Sequence, residues 1–455
     1  MLDVAERALR HTGSRDALVS VARERSLFLR FAGNRPTQET AVDDLTVETA
    51  VVENGHVGRA STNDTSDEHL AACARRAIAA AEAAAGSAPG TFPGFPAIQP
   101  APLHEGHDAD TAALEPVHGG RALAAAFAVA EADSLEAHGI WTAGEEQRAV
   151  VSTAGGSAVD RTTDAFMKVI CIAPSGRSGY AGRASVAATR LDPTEIARRS
   201  AAKASASGEV VDVDPGEYTV VLEASAVGTL LEMLGVAAFN GLAYAEGRGA
   251  LNDRLGHVVA SPAVNLSDSP RFKGTLQRGI DAEGTSKTPI PLIQDGVAHS
   301  VVHDLRSAAL AGGRSTGHAL PRGGDLESPQ PTNLVLIGGG AEDEDELCAT
   351  IERGVYVTRL WYANLVRPRE SLVTAVTRDG TFLIEDGKIT RPAHDLRLTD
   401  SVLGILARTS ALGCHQELVS EGEFYGRRFA NAVACPPLRA RDVRFTGSAA
   451  ESLRP

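Results

Sequence analysis

Residues 354–389 read GVYVTRLWYANLVRPRESLVTAVTRDGTFLIEDGKI, and how this stretch folds decides the class of the protein. Val355, Val357 and Leu360 sit among β-rich neighbours, and residues 372–376 and 381–384 form two further β-like runs. Asp379-Gly380 reads as the turn joining those two runs. Asp386-Gly387 reads as a second tight turn, because glycine accepts the positive φ that two-residue hairpin loops require. The stretch is therefore expected to be a β-meander. Trp361, Tyr362 and Asn364 place two aromatics beside an amide in a chain with only 4% aromatic residues. That grouping suits either a core corner or a surface that holds a ligand.

Outward from the meander, everything beyond Gly256 is rich in Gly, Pro and short β-like runs, such as 257–260, 297–302 and 333–337. A strand at 218–223 and an apolar helix at 224–239 precede it, and Asp212-Val213-Asp214-Pro215-Gly216 marks the main boundary, giving regions 1–212 and 213–455. The first region opens on a short amphipathic helix. Strands at 17–21 and 26–31 then flank an Arg-Glu-Arg turn, and a hairpin turns at Glu53-Asn54-Gly55. Ala-rich helices follow at 68–85, with Asp67 near the start, and at 121–138. Strands at 139–151, 157–162 and 165–173 and a helix at 193–206 complete it. The Pro- and Gly-rich segment 86–102 reads as a linker or long surface loop between two subregions. The expected class is α+β: hairpins and Ala-rich helices first, then a larger, mainly β C-terminal domain.

A chain of 455 residues calls for two or three domains. Its 44 Lys+Arg against 58 Asp+Glu give a net charge of −14, which disfavours a general nucleic-acid binder. No apolar run approaches a membrane span, and the N-terminus lacks a signal-peptide core, so a cytoplasmic protein is expected. Five scattered cysteines without a C-x-x-C pair argue against both a disulfide framework and a cysteine-built zinc site.

Several groupings could carry chemistry. His104, His107, Asp108 and Asp110 lack a recognised ligand geometry and read as a polar, solvated loop. His299 and His303 have the i, i+4 spacing of a shared metal, but Ser300 stands where a metalloprotease helix needs Glu, and the surrounding alternation reads as a strand. Gly338-Gly339-Gly340 precedes an acidic helix start at 342–347 that would repel phosphate. The loop Arg314-Ser315-Thr316-Gly317 can bind a peptide backbone or form a plain turn cluster. Cys435, in Ala-Cys-Pro-Pro, has no activating neighbour in sequence.

Taken together, these residues resemble the TldD/PmbA family over most of the chain. The resemblance lies in Arg30-Phe31-Ala32-Gly33-Asn34 with Gln38-Glu39, in 214–222, in Ser315-Thr316-Gly317, and most specifically in 356–366 with 377–385. In that family the catalytic subunit carries H-E-x-x-x-H on the helix after the domain-entry strand, with a later Cys completing a zinc site. With 255–262 setting the register, the motif falls on 232–237. Glu232 and Ala237 then stand in the ligand positions, and Met233 stands in the position of the general base, a role its thioether cannot fill.

The resemblance therefore implies the non-catalytic TldE/PmbA type. Such a chain would carry no metal or catalytic residue of its own, would pair with a TldD-type subunit that holds the zinc, and would help enclose an unfolded, leader or carrier peptide. Arg314 to Gly317, Trp361, Tyr362 and Asn364 are the candidate peptide contacts. Two alternatives are a self-associating peptide-binding protein and a hydrolase using Cys435 as a thiol nucleophile.

Overall fold

Long alternating runs build the first layer. The computed structural model describes residues 1–86, 89–322, 328–420 and 428–448. Strands β1 (Asp16–Phe31), β2 (Pro36–Glu53), β3 (His56–Thr62), β4 (Glu136–Ser152), β5 (Ser157–Ile172) and β6 (Ser178–Ser185) form one antiparallel sheet in the order β3-β2-β1-β4-β5-β6. Successive side chains point to opposite faces, and the register sorts them into two unlike sets. Leu29, Phe31, Trp141, Ala165, Met167 and Val169 share one face with Val19, Val21 and Val47. Helices α1 (Leu2–Arg10), α2 (Asp67–Ala85), α3 (Ala109–Ala112), α4 (Pro116–Ala132) and α5 (Pro193–Ala204) complete the region. Of these, α4 and α5 cover one end of the apolar face, and α1 and α2 cover the other.

The opposite face is charged and still buried. Glu24, Glu146, Arg148, Asp160, Asp164 and Lys168 all lie on it with less than a tenth of their surface exposed. It packs against the C-terminal half: Asp160 accepts hydrogen bonds from Gly279 N–H (2.8 Å) and Ile280 N–H (3.2 Å). This explains two corrections. The expected Arg-Glu-Arg turn is the middle of β1, and the expected strands 157–162 and 165–173 are one strand, β5. Glu24 and Asp164 break the apolar pattern without breaking the strand, because they face Arg428 of the C-terminal half, while Arg23 and Arg25 point the other way and pair with Asp43 at the surface.

The Pro- and Gly-rich segment is also more than a linker. Its described residues have no regular structure, positions 87 and 88 lying outside them, yet Phe95 and Ile98 are buried against Leu18, Val150 and Ile280. Gly90 N–H and Phe92 N–H donate to Asn54 and Gly55 carbonyls at 2.9 Å, pinning the segment to the β2–β3 turn. Beyond it, the side chain of His104 is buried and that of His107 is partly exposed, and both are tied to carboxylates, while Asp110 is exposed as expected. His104 contacts Asp160 on the charged face at 2.6 Å and His107 contacts Glu145 on the opposite face at 2.9 Å, so the segment grips the sheet from both sides.

Among the described residues thirteen strands follow: β7 (Gly216–Leu222), β8 (Leu266–Asp268), β9 (Ile290–Gln294), β10 (Val297–Ala298), β11 (Asn333–Leu336), β12 (Arg353–Arg367), β13 (Leu372–Glu385), β14 (Lys388–Pro392), β15 (Leu396–Ser401), β16 (Thr409–Leu412), β17 (Glu417–Val419), β18 (Ala432–Cys435) and β19 (Leu438–Ser448). One sheet runs β10-β9-β8-β11-β18-β17. In the other, β12 pairs with β7, β7 with β19, β19 with β15, β15 with β13, and β13 again with β12. Five strands thus close into a ring, which satisfies the backbone without leaving a free edge within the ring. Helix α6 (Ala224–Ala237) packs Val227, Leu230, Leu231 and Leu234 into a core shared with Val220, Leu222, Val355 and Val357. The class is α+β, with a mainly β C-terminal part.

The deciding stretch forms two walls of this ring, with its turns displaced from those expected. Asp379-Gly380 is a bulge inside a continuous β13, where the register slips between the pairs Val357↔Thr381 and Arg359↔Arg378. Asp379 has φ 55° and Gly380 φ 128°, and a Cβ on Gly380 would lie 2.4 Å from Thr358 Oγ1. The hairpin bends instead at Pro368–Glu370, while Asp386-Gly387 is the expected tight turn, with φ of 48° and 78°. Tyr362, with φ 51° and 74% exposed, sits at a second register slip and not in a core corner. Among the described residues no helix is long and apolar enough to cross a membrane.

Candidate functional site

Helix α6 carries the positions at which the family resemblance places metal ligands. Ala237 is buried and offers no donor atom; Met233 is half-buried and packs against the core. Glu232 is half-buried. Cys435, on β18, is fully buried, and its Sγ donates to the Ala224 carbonyl at 3.3 Å. Burial pushes the Cys435 thiol up, and the negative charges of Glu417 and Glu232 push it further. The three motif positions and Cys435 together offer one carboxylate, Glu232, and one protonated thiol, while Glu223 and Glu417 nearby are already held by cationic side chains. Among the described residues no three of His, Cys, Asp and Glu gather as a ligand set, so these side chains do not fit a zinc ion.

Charged side chains that tie the domains together lie near the start of α6. Glu223 accepts from Lys203 Nζ (2.9 Å), Tyr356 Oη (2.7 Å) and Thr358 Oγ1 (3.1 Å). Glu417 receives Arg183 and Arg199, each at 2.7 Å. Burial would raise the Glu417 carboxyl, but the two guanidinium groups hold it below its ordinary range. Sequence reasoning missed this network. Arg183, Arg199 and Lys203 come from β6 and α5, Glu417 comes from β17, and no local spacing connects them.

The two sets of candidate peptide contacts are not brought together. Ser315, Thr316 and Gly317 turn inward: Thr316 N–H donates to the His303 carbonyl (3.0 Å), His303 N–H to Thr316 Oγ1 (2.7 Å) and Ser315 Oγ to the His303 carbonyl (3.2 Å). Only Arg314 of this loop is exposed. Beneath it Lys287 Nζ reaches the Gly317 carbonyl at 3.3 Å. Asp268 Oδ1 stands 3.0 Å from His318 Nε2, close enough for ion pairing but off the hydrogen-bond direction. The sequence pair His299 and His303 also separates, with His299 exposed and His303 Nδ1 3.1 Å from Ser307 Oγ. The loop continues into residues 319–322, which line a small cavity with Ser20 and Ala22 of β1; Trp361 lines a different groove with Arg30 of β1. At strand rise, those contacts with β1 lie roughly 30 Å apart.

Around Trp361 the side chains interlock. The Arg359 guanidinium lies 4.5 Å from the Tyr180 ring and 4.9 Å from the Trp361 ring, and its Nε donates to Asp379 Oδ2 at 2.8 Å. Ser178 Oγ donates to the other Asp379 oxygen at 2.6 Å. The bulge at Asp379-Gly380 therefore positions Asp379, Asp379 fixes Arg359, and Arg359 stacks Trp361 against the groove. Asn364 is exposed, and its Nδ2 donates to the Tyr362 carbonyl at 2.8 Å.

Comparison with known proteins places this fold. The fold as a whole, N-terminal sheet included, matches TldE from Thermococcus kodakarensis with a TM-score of 0.86 over 98% of this chain and 100% of that chain, at 19% identity. A metalloprotease of Methanothermobacter thermautotrophicus is 28% identical over 225 residues, which is 49% of this chain and 49% of that protein. A metalloprotease TldD homolog of Haemophilus influenzae is 26% identical over 229 residues, 49% of this chain and 46% of that protein. The chain spans about half the length of the curated relatives it matches. Models of the PmbA/TldA metallopeptidase domain 1, central domain and C-terminal domain match residues 17–81, 112–207 and 215–447, covering the β1–β3 half of the first sheet, its β4–β6 half, and the closed ring with the second sheet in turn. With all three of its domains accounted for in order, the chain belongs to the PmbA/TldD metallopeptidase family.

Proposed function

We propose that this chain is a non-catalytic, TldE-type subunit of a cytoplasmic zinc metallopeptidase, pairing with a TldD-type subunit that supplies the metal. One observation carries this reading: α6 offers Glu232, Met233 and Ala237 where a zinc peptidase needs two imidazoles and a general base. The buried, protonated Cys435 cannot make up the deficit, and it is equally unsuited to act as a thiol nucleophile. The likeness to TldE supports the same direction at the level of fold. In this role the chain completes a chamber and holds extended peptide for cleavage by its partner, with unfolded proteins and leader or carrier segments as the substrate class.

The test is co-expression with a family member that retains H-E-x-x-x-H, followed by size-exclusion chromatography with light scattering. A mixed complex eluting ahead of either chain is the expected result. Two separate peaks under all buffer conditions, with this chain forming only copies of itself, would contradict the reading and favour a self-associating binding protein.

A further inference from the structure

The groove beside Trp361 has a charge balance opposite to that of the whole molecule. It has a volume of about 460 Å³ and lies between the β4–β5 end of the N-terminal sheet and the β12–β13 hairpin. Arg30, Lys168, Arg359 and Arg378 line it against one carboxylate, Asp379, in a chain whose net charge is −14. Asp379 is already engaged by Arg359 and Ser178. Arg378 approaches it only at 4.0 Å, and Arg30 has no ion-pair partner among the described residues. His138 Nε2 is shielded from water and makes no hydrogen bond, with Glu136 Oε2 3.5 Å away.

Beside these cations the groove is apolar. Ile140, Ile170, Ile172 and Trp361 line it, and the exposed ring of Tyr362 meets Trp361 edge-on at 5.5 Å. Two exposed guanidinium groups beside an aliphatic and aromatic wall match a carboxylate carried on an apolar segment. We propose that this groove binds the carboxylate of an extended peptide, with Arg30 and Arg378 holding the charge and Trp361 and Tyr362 covering the neighbouring apolar side chain. A polyphosphate backbone is a poorer match, because the field of a strongly acidic chain repels a polyanion while a small cationic groove still attracts one carboxylate. The proposal deepens the peptide-holding role proposed above and rests on it.

Three N-acetylated heptapeptides of alanine and leucine test it by calorimetry on the full chain: one with a free C-terminal carboxylate, one with a C-terminal amide, and one amide carrying a central glutamate. The free acid is expected to bind about 10- to 100-fold more tightly than the plain amide. Equal strength for the glutamate peptide extends the site to side-chain carboxylates; weak binding of that peptide assigns the site to chain ends. R30Q/R378Q, which changes two exposed side chains, should bind the free acid as weakly as the amide while keeping its urea midpoint. Equal affinity for all three peptides, unchanged affinity in R30Q/R378Q, or tighter binding of octathymidylate would overturn the proposal. Assembly with a TldD-type subunit is read separately. Assembly without carboxylate discrimination removes only the groove assignment, and discrimination without assembly removes only the subunit reading.

Discussion

Arg428 heads the fully buried side chains by volume, and its surroundings show how charge is managed in this protein. Its Nε and Nη2 donate to the two Asp164 oxygens at 2.7 and 2.6 Å, and its Nη1 donates to Thr142 Oγ1 at 2.9 Å. Removing the guanidinium strands a carboxylate where water cannot reach it. Arg428→Ala is expected to cost about 3–5 kcal/mol by urea denaturation, and Arg428→Met with Asp164→Leu should recover much of that loss. A single-variant cost below about 1 kcal/mol would mean that water reaches the pair. Cysteine burial gives a second expectation. Cys414 is exposed while Cys73, Cys171, Cys348 and Cys435 are buried, so a thiol reagent should modify one cysteine in the folded chain and the remaining four only on unfolding. Rapid modification of Cys435 in the native state would revive it as a nucleophile.

The buried acids Asp281 and Glu283 add a pH dependence. Burial pushes both carboxyls up; the charge of Asp281 raises Glu283 further, and backbone N–H donors oppose the rise at Asp281 only in part. The folded chain therefore keeps protons that the unfolded chain has lost above the ordinary carboxylate range. Stability is fully present below that range and declines as pH climbs through it toward the raised values. Glu283→Gln cannot ionise, so its urea midpoint should fall less than the wild type's between about pH 5 and about pH 8. Parallel curves for the two proteins would show that Glu283 does not titrate in this window.

At the scale of elements, the bulge in β13 links backbone geometry to the groove. Gly380→Ala places a methyl group on Thr358 in a backbone conformation that disfavours a side chain, and it should cost about 1–3 kcal/mol while loosening Arg359 and Trp361. Trp361 fluorescence should shift to the red in that variant; an unchanged spectrum would separate the bulge from the groove. Asp379-Gly380 also shows where sequence reasoning stops. A dipeptide that favours positive φ marks a hairpin turn and a bulge alike, and only the partner strand distinguishes them. The Asn54-Gly55 and Asp386-Gly387 turns, the apolar helix α6 and the Ala-rich helix α2 were legible because local pattern and tertiary role agree there. Strands β1 and β5 appeared broken because Glu24 and Asp164 interrupt the apolar pattern while serving a buried charged face.

For the whole molecule, the sequence disclosed what α6 lacks more readily than what the domains share. Glu232, Met233 and Ala237 are visible as a degenerate motif within six residues. The clamp of Arg183, Arg199, Lys203, Glu223 and Glu417, and the groove joining Arg30 to Arg378, exist only once parts of the chain distant in sequence converge. Arg314 to Gly317 looked as open as Trp361 to Asn364, but its hydroxyls are satisfied by His303, which only the fold reveals. The central claim is that the chemistry belongs to a partner subunit. The most direct measurement is zinc content and peptidase activity of the purified chain, alone and mixed with a subunit retaining H-E-x-x-x-H. The account predicts neither metal nor cleavage alone and both in the mixture; stoichiometric zinc with cleavage by the isolated chain would contradict it.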